Sequence, residues 1–136
     1  MTLLPVVIFD DIELWATDTL RALLAARDET YADDVFVSNE VPNPRRDRMV
    51  IVRRDGGGRL DAAREAPRLG VRVWSTEKQE ANDLARLVAA LLWASPDGDP
   101  VAKVTITGGP YAVPDDSGQE LRYITAELIT KGRDDA

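Results

Sequence analysis

"MVIVRRDGGGRL", Met49 to Leu60, decides between two folds. If its glycines cradle a phosphate, they close a strand and open a helix, as in a parallel α/β design. If they form a hairpin tip, two antiparallel strands meet there. A phosphate loop needs G-x-x-x-x-G-K-[ST] leading into a helix. Here Gly58 is followed by "RLDAAREAP", with no Lys-Ser or Lys-Thr pair. A dinucleotide fingerprint needs G-x-G-x-x-G, and three adjacent glycines lack that spacing. Asp55-Gly56 is instead a hairpin-turn signal. Met49–Arg54 is rich in β-branched residues, as strands are. Leu69–Ser75 alternates Leu69, Val71 and Val73 with Gly70, Arg72 and Trp74. The expectation is strand, loop, strand, with residues 55–68 as a glycine-loosened loop that a partner would order.

The remaining elements follow from periodicity. Ile12, Trp15, Ala16, Leu20, Leu23 and Leu24 make one apolar stripe, predicting a helix over Asp10–Arg27. Asp10 is the expected cap, with Glu13 in the reciprocal position. Val35–Val41 is a short strand candidate, ended by the prolines of "VPNPRRD". A second helix follows Ser75 or Thr76, with Ala81, Leu84, Ala85, Val88, Leu91 and Leu92 as its stripe. "SPDGDP" stops it. Val101–Thr107 alternates as a strand, "GGPYAVPDDSG" reads as a loop, and Glu120–Lys131 is the last strand. Residues 1–9 are an arm or strand and 132–136 a frayed tail. The fold class is α+β: a mostly antiparallel sheet of four to five strands with two amphipathic helices on one face, in a single domain of 136 residues.

Composition removes several chemistries. There is no cysteine and no histidine. Thiolate chemistry, histidine triads and imidazole metal sites are excluded. The stretch Leu3–Phe9 is too short to span a bilayer and has no basic residue before it, so neither a membrane span nor a signal peptide is expected. The net charge of −7 opposes general nucleic-acid binding. An acidic wall would still let DNA slide past without adhering.

Charge is divided unevenly. Arg45–Arg72 holds nine arginines and four acids, a net +5, while the rest carries eight basic and twenty acidic groups, a net −12. A solvated hairpin explains this division. So does a basic arm on an acidic body, built for self-association, because arginine pairs with carboxylates in a planar, bidentate way. On the second reading Arg53, Arg54, Gly56, Gly57, Gly58 and Arg59 are the subunit-interface candidates. The carboxylate pairs Asp33–Asp34 and Asp115–Asp116 could serve acid–base chemistry. Turn formation explains the same residues. Trp15, Trp74 and Trp93 are expected in the core rather than on a base-stacking platform. No cofactor, metal or catalytic residue is expected.

"PRLGVRVWSTEKQEANDLARLVAALLWA", Pro67–Ala94, is preceded by "MVIVRRDGGG" and followed by "TGGPYAVPD" and "ELRYITAELITKG". This succession, from about Asp10 to Gly132, resembles tail terminator proteins of long-tailed bacteriophages of the siphovirus type, particularly those of actinobacterial hosts. The resemblance implies a structural virion protein and no reaction. Such proteins form a homo-hexameric ring on the last ring of the tail tube, stop its polymerisation, and offer a docking face for head-completion or stopper proteins. DNA passes through without specific binding, so the implied ring should not present a basic wall, and the channel-facing candidates are the loop carboxylates Asp33, Asp34, Asp97, Asp99, Asp115 and Asp116. The location implied is the head-proximal end of the virion tail, after assembly in the host cytoplasm. The alternatives are another head-to-tail connector or stopper of the neck and, from a different class, a small acidic enzyme using carboxylates.

Overall fold

The computed structural model describes residues 4–134. Its elements are β1 (Val7–Ile8), α1 (Ile12–Ala25), a single 3₁₀ turn (Thr30–Ala32), β2 (Phe36–Ser38), β3 (Met49–Arg59), β4 (Arg64–Ser75), α2 (Lys78–Ala94), β5 (Val101–Val113), β6 (Glu120–Lys131) and β7 (Arg133–Asp134). The main sheet has the order β2-β3-β4-β6-β5. Only β2 and β3 run parallel; the other neighbours are antiparallel. β1 and β7 form a separate antiparallel pair. The fold is α+β, five strands and two helices, as the periodicities predict. Among the described residues no helix is long and apolar enough to cross a membrane.

Both helices lie on one face of the sheet. Ile12, Ala16, Leu20 and Leu24 of α1 and Leu84, Ala85, Val88 and Leu92 of α2 share a buried cluster with Val50, Val52, Leu69, Val71, Val73, Ile124, Ala126 and Leu128. The sheet residues in that cluster are alternate positions on their strands, as a pleated sheet covered on one side requires. Arg122 is also buried, yet paired: its Nε donates to Asn82 Oδ1 at 2.6 Å and its Nη1 to the Leu121 carbonyl at 3.0 Å. Among the described residues no buried side-chain polar atom lacks a partner.

The opposite face carries a smaller cluster at the end where β3 and β6 begin. Met49, Ile51, Trp74 and Leu121 are buried there, with Phe36 and Val113 beside them. The segment "VPNPRRD" lies over this cluster. The Arg45 guanidinium stacks 5.2 Å from the Trp74 ring, and that of Arg46 stacks 5.4 Å from Phe36. Gln119 ties the same segment to the β5–β6 turn, accepting from Arg45 Nε at 2.8 Å and donating to the Arg46 carbonyl at 2.8 Å.

Several local expectations are corrected. The glycine segment 55–68 is strand on both sides of a short turn at residues 60–63: Gly56, Gly57 and Gly58 pair with Arg68, Pro67 and Ala66. A register shift between Arg54 and Gly56 absorbs one extra residue. Gly57 has φ +86°, and a Cβ there would run into the Ala66 carbonyl, so glycine is required by the ladder rather than by flexibility. β5 likewise continues through "GGPYAV" to Val113. It is an edge strand, where Pro110 has no ladder bond to lose.

Helix α1 starts one residue later than expected. Asp11 caps it, accepting from the Leu14 backbone at 3.2 Å, while Asp10 pairs with Arg133 at 3.0 Å. Helix α2 has Glu77 at its cap without a side-chain bond. Ser75 remains in β4 and its hydroxyl donates to Glu80 at 2.8 Å. The expected frayed tail contains β7, and residues 135–136 lie outside the described residues. Trp93 is 66% exposed, so only Trp15 and Trp74 pack as core residues.

Candidate functional site

The arginines expected to meet a partner are held within the protomer. Arg54 donates its backbone N–H to Glu13 Oε2 at 2.6 Å, which closes an N–H on the part of β3 that β2 does not reach. Its guanidinium turns back to Glu65 at 3.1 Å and to the Gly56 carbonyl at 3.2 Å, bracing the irregular step in the ladder. Arg59 donates to the Val7 carbonyl at 2.8 Å and stacks 4.7 Å from the Phe9 ring, stapling the N-terminal strand to the hairpin. Arg53 and Arg59 are exposed and Arg54 is half-buried; of the three, Arg53 makes the fewest contacts. It lies on the face away from the helices and donates to the Asn39 carbonyl at 3.0 Å.

The channel candidates do not form one group. Asp33 and Asp34 lie in the turn before β2, and Asp115 and Asp116 in the β5–β6 turn, both at the end where β3 begins. Asp97 and Asp99 lie between α2 and β5, at the opposite end. Asp115 is partly structural: it accepts from the Trp74 indole at 2.8 Å and from the Ser117 hydroxyl. The Ser117 bond, then Trp74 and the nearby Arg45, hold its carboxyl below the ordinary aspartate range against the effect of burial. Asp99 lies 3.4 Å from Arg133.

Sequence reasoning missed a cluster on the open face. Ile51, Arg72, Tyr123 and Tyr111 stand opposite one another across four strands. Arg72 stacks 5.0 Å from the Tyr123 ring, and Tyr111 meets that ring edge-on at 5.8 Å. The Tyr123 hydroxyl donates to Asp55 Oδ2 at 3.2 Å, and Arg68 pairs with Asp55 at 3.1 Å. Burial, and next the Asp55 carboxylate, raise the Tyr123 pKa. Gly70 lies beneath: any Cβ there would collide with the Tyr123 hydroxyl. The alternation of Gly70 and Arg72 with buried neighbours was the available signal. What it lacked was the register that aligns them with Tyr123.

A cleft of about 330 Å³ is lined by Asp34, Arg45, Arg46, Asp47, Arg48, Thr76 and Glu80. Two of its charges pair with each other: Arg48 bonds Glu80 at 2.5 Å, and it also donates to the Asp33 carbonyl at 2.7 Å. Bonds from Arg48, then Ser75, hold the Glu80 carboxyl below its usual range. Among the described residues no group of three or more Asp or Glu is placed to hold a metal ion. Scans against protein-family models and against curated protein sequences match nothing to this chain.

Proposed function

We propose that this protein is a structural component of a phage tail, capping the tail tube as a homo-hexameric ring. In that role it ends tube polymerisation and gives head-completion proteins a docking face. The observation that carries the reading, beside the resemblance in element order, is the placement of charge on the fold. The β3–β4 hairpin, Met49–Ser75, holds six arginines and three acids. The segment Asp10–Asp34, which includes α1, holds eight acids and two arginines. A closed ring with a head-to-tail interface needs two unlike patches on each protomer. Opposite charge on two separate elements supplies such a pair, and no chemistry at a pocket is required of it.

The test is the protein on tails assembled with its tube protein. Mass measurement of capped tails is expected to give six copies per tail end. Omission of the protein is expected to give tubes of uncontrolled length. A copy number of three, five or twelve, or normal tail length without the protein, would sink the reading. The glycine hairpin has its own test. Hydrogen exchange of residues 55–66 is expected to be faster in the free protomer than in the capped tail, and equal protection would remove any ordering role for a partner.

A further inference from the structure

Two features on different parts of the protomer hold charged side chains that form no direct ion pair among the described residues. On the open face, Arg53 and Arg72 form no ion pair among the described residues. They flank Gly70: Arg53 stands directly opposite it, and Arg72 is two residues further along the same strand. With Tyr123 and the 49%-exposed Tyr111 they make an arginine–tyrosine patch. Arginine and tyrosine are the side chains that dominate the energetic centres of protein interfaces. Tyr123 braces the patch, because its ring is held between Arg72 and Tyr111 while its hydroxyl is tied to Asp55.

The second feature is the turn between α1 and β2. Asp28, Asp33 and Asp34 are exposed there and form no ion pair among the described residues. Asp34 sits at φ +51°, a left-handed position that aspartate tolerates in tight turns. The turn leads into β2, the edge strand farthest from Tyr111 on β5. No hydrogen bond or ion pair joins its carboxylates to the patch among the described residues.

We propose that the Asp28–Asp34 turn of one protomer docks on the Arg53–Arg72–Tyr123 patch of a second copy of this chain. This names the subunit contact of the ring and rests on that reading. The contact is heterologous, so each protomer gives a turn to one neighbour and a patch to the other. Arginine suits the contact because its planar fork takes a carboxylate through two parallel hydrogen bonds. Partial shielding by the tyrosines lifts the pairs above the small worth of fully solvated ones.

Charge reversal in complementary pairs tests it. Sedimentation of the purified wild type at low ionic strength is expected to show concentration-dependent association that added salt weakens. Arg53→Glu with Arg72→Glu is expected to weaken association at least about tenfold, and so is Asp33→Arg with Asp34→Arg. An equimolar mixture of the two variants is expected to associate again. In the mixture each reversed turn meets a reversed patch and each native turn a native patch, alternating around an even-numbered ring. Should the reversal at Arg72 impair folding, Arg53→Gln with Arg72→Gln removes the charge at similar size and is expected to lose association too.

Unchanged association in either variant overturns the proposal. So does a mixture that stays dissociated while both variants unfold at the wild-type temperature. A wild type that remains monomeric throughout also overturns it, including the case in which the patch serves the tube protein instead. Six copies on each capped tail would leave the ring standing with a different contact. Tails that never carry the protein would remove the ring itself.

Discussion

The two faces of the sheet are stabilised differently, although the same strands supply both. Towards the helices, Val52, Val71, Ile124 and Leu128 are fully buried under α1 and α2. Away from them, the buried apolar cluster among the described residues is Met49, Ile51, Trp74 and Leu121 at one end. The rest of that face is a lattice of Arg68, Asp55, Tyr123 and Arg72 joined by polar and cation–π contacts. Apolar burial is non-directional and scales with area, so the helix face carries most of the stability. The open face fixes orientation and leaves side chains available to a partner.

The largest expected effect is in the helix-covered core. Leu128→Ala removes a fully buried side chain and is expected to cost about 2–5 kcal/mol in urea unfolding. Leu121→Ala, in the smaller cluster, is expected to cost less because neighbouring loops can close over the gap. Equal costs would erase the distinction between the faces. Next is the carboxylate joining α1 to the hairpin. Glu13→Ala leaves the Arg54 N–H and Asn39 without their acceptor, and about 1–2 kcal/mol should be lost, measured by the same unfolding. No loss would mean that water replaces the carboxylate and that the hairpin stands without α1.

A smaller effect is expected with pH. The bonds from Arg48 and then Ser75 lower the folded pKa of Glu80 from its ordinary 4.5. The stability it contributes is therefore complete above that value and lost as pH falls through the folded pKa. Glu80→Gln should flatten the acid limb of a pH–stability curve by about 1 kcal/mol or less. An unchanged limb would show that the Arg48–Glu80 bond adds nothing. Smallest is Arg53→Gln on the open face. Its stability should stay within about 0.5 kcal/mol of wild type, because its one bond, to the Asn39 carbonyl, is exposed. A larger loss would give this face a structural role that the comparison denies it.

Much of the fold was legible from period alone. The stripe Ala81–Leu92 placed α2, and the alternation through Ile124, Ala126 and Leu128 gave β6 its bounds, Glu120–Lys131. Local chemistry misled where the ladder overruled it. Three glycines after Asp55 read as a loop, and "GGPYAV" as another, yet both are paired strand. Pairing with a neighbouring strand gives these segments a ladder of backbone bonds, which outweighs weak intrinsic strand preference. Trp93 looked like core by type, but its position on α2 turns it away from the sheet.

The sequence by itself determined the α+β class, the order of the helices and main-sheet strands, and the separation of basic from acidic segments. These depend on local periodicity and composition, which need no knowledge of distant neighbours. Tertiary structure alone decided what each charge does. Arg54 and Arg59 sit beside the same glycines as Arg53, yet they are taken up by Glu65 and by the N-terminal strand. Arg72, Tyr123 and Tyr111 come together only through the register of three strands, one of them separated from the other two by α2. Charges a few residues apart on one strand can thus have opposite fates, because partners across a sheet are set by register and not by sequence distance.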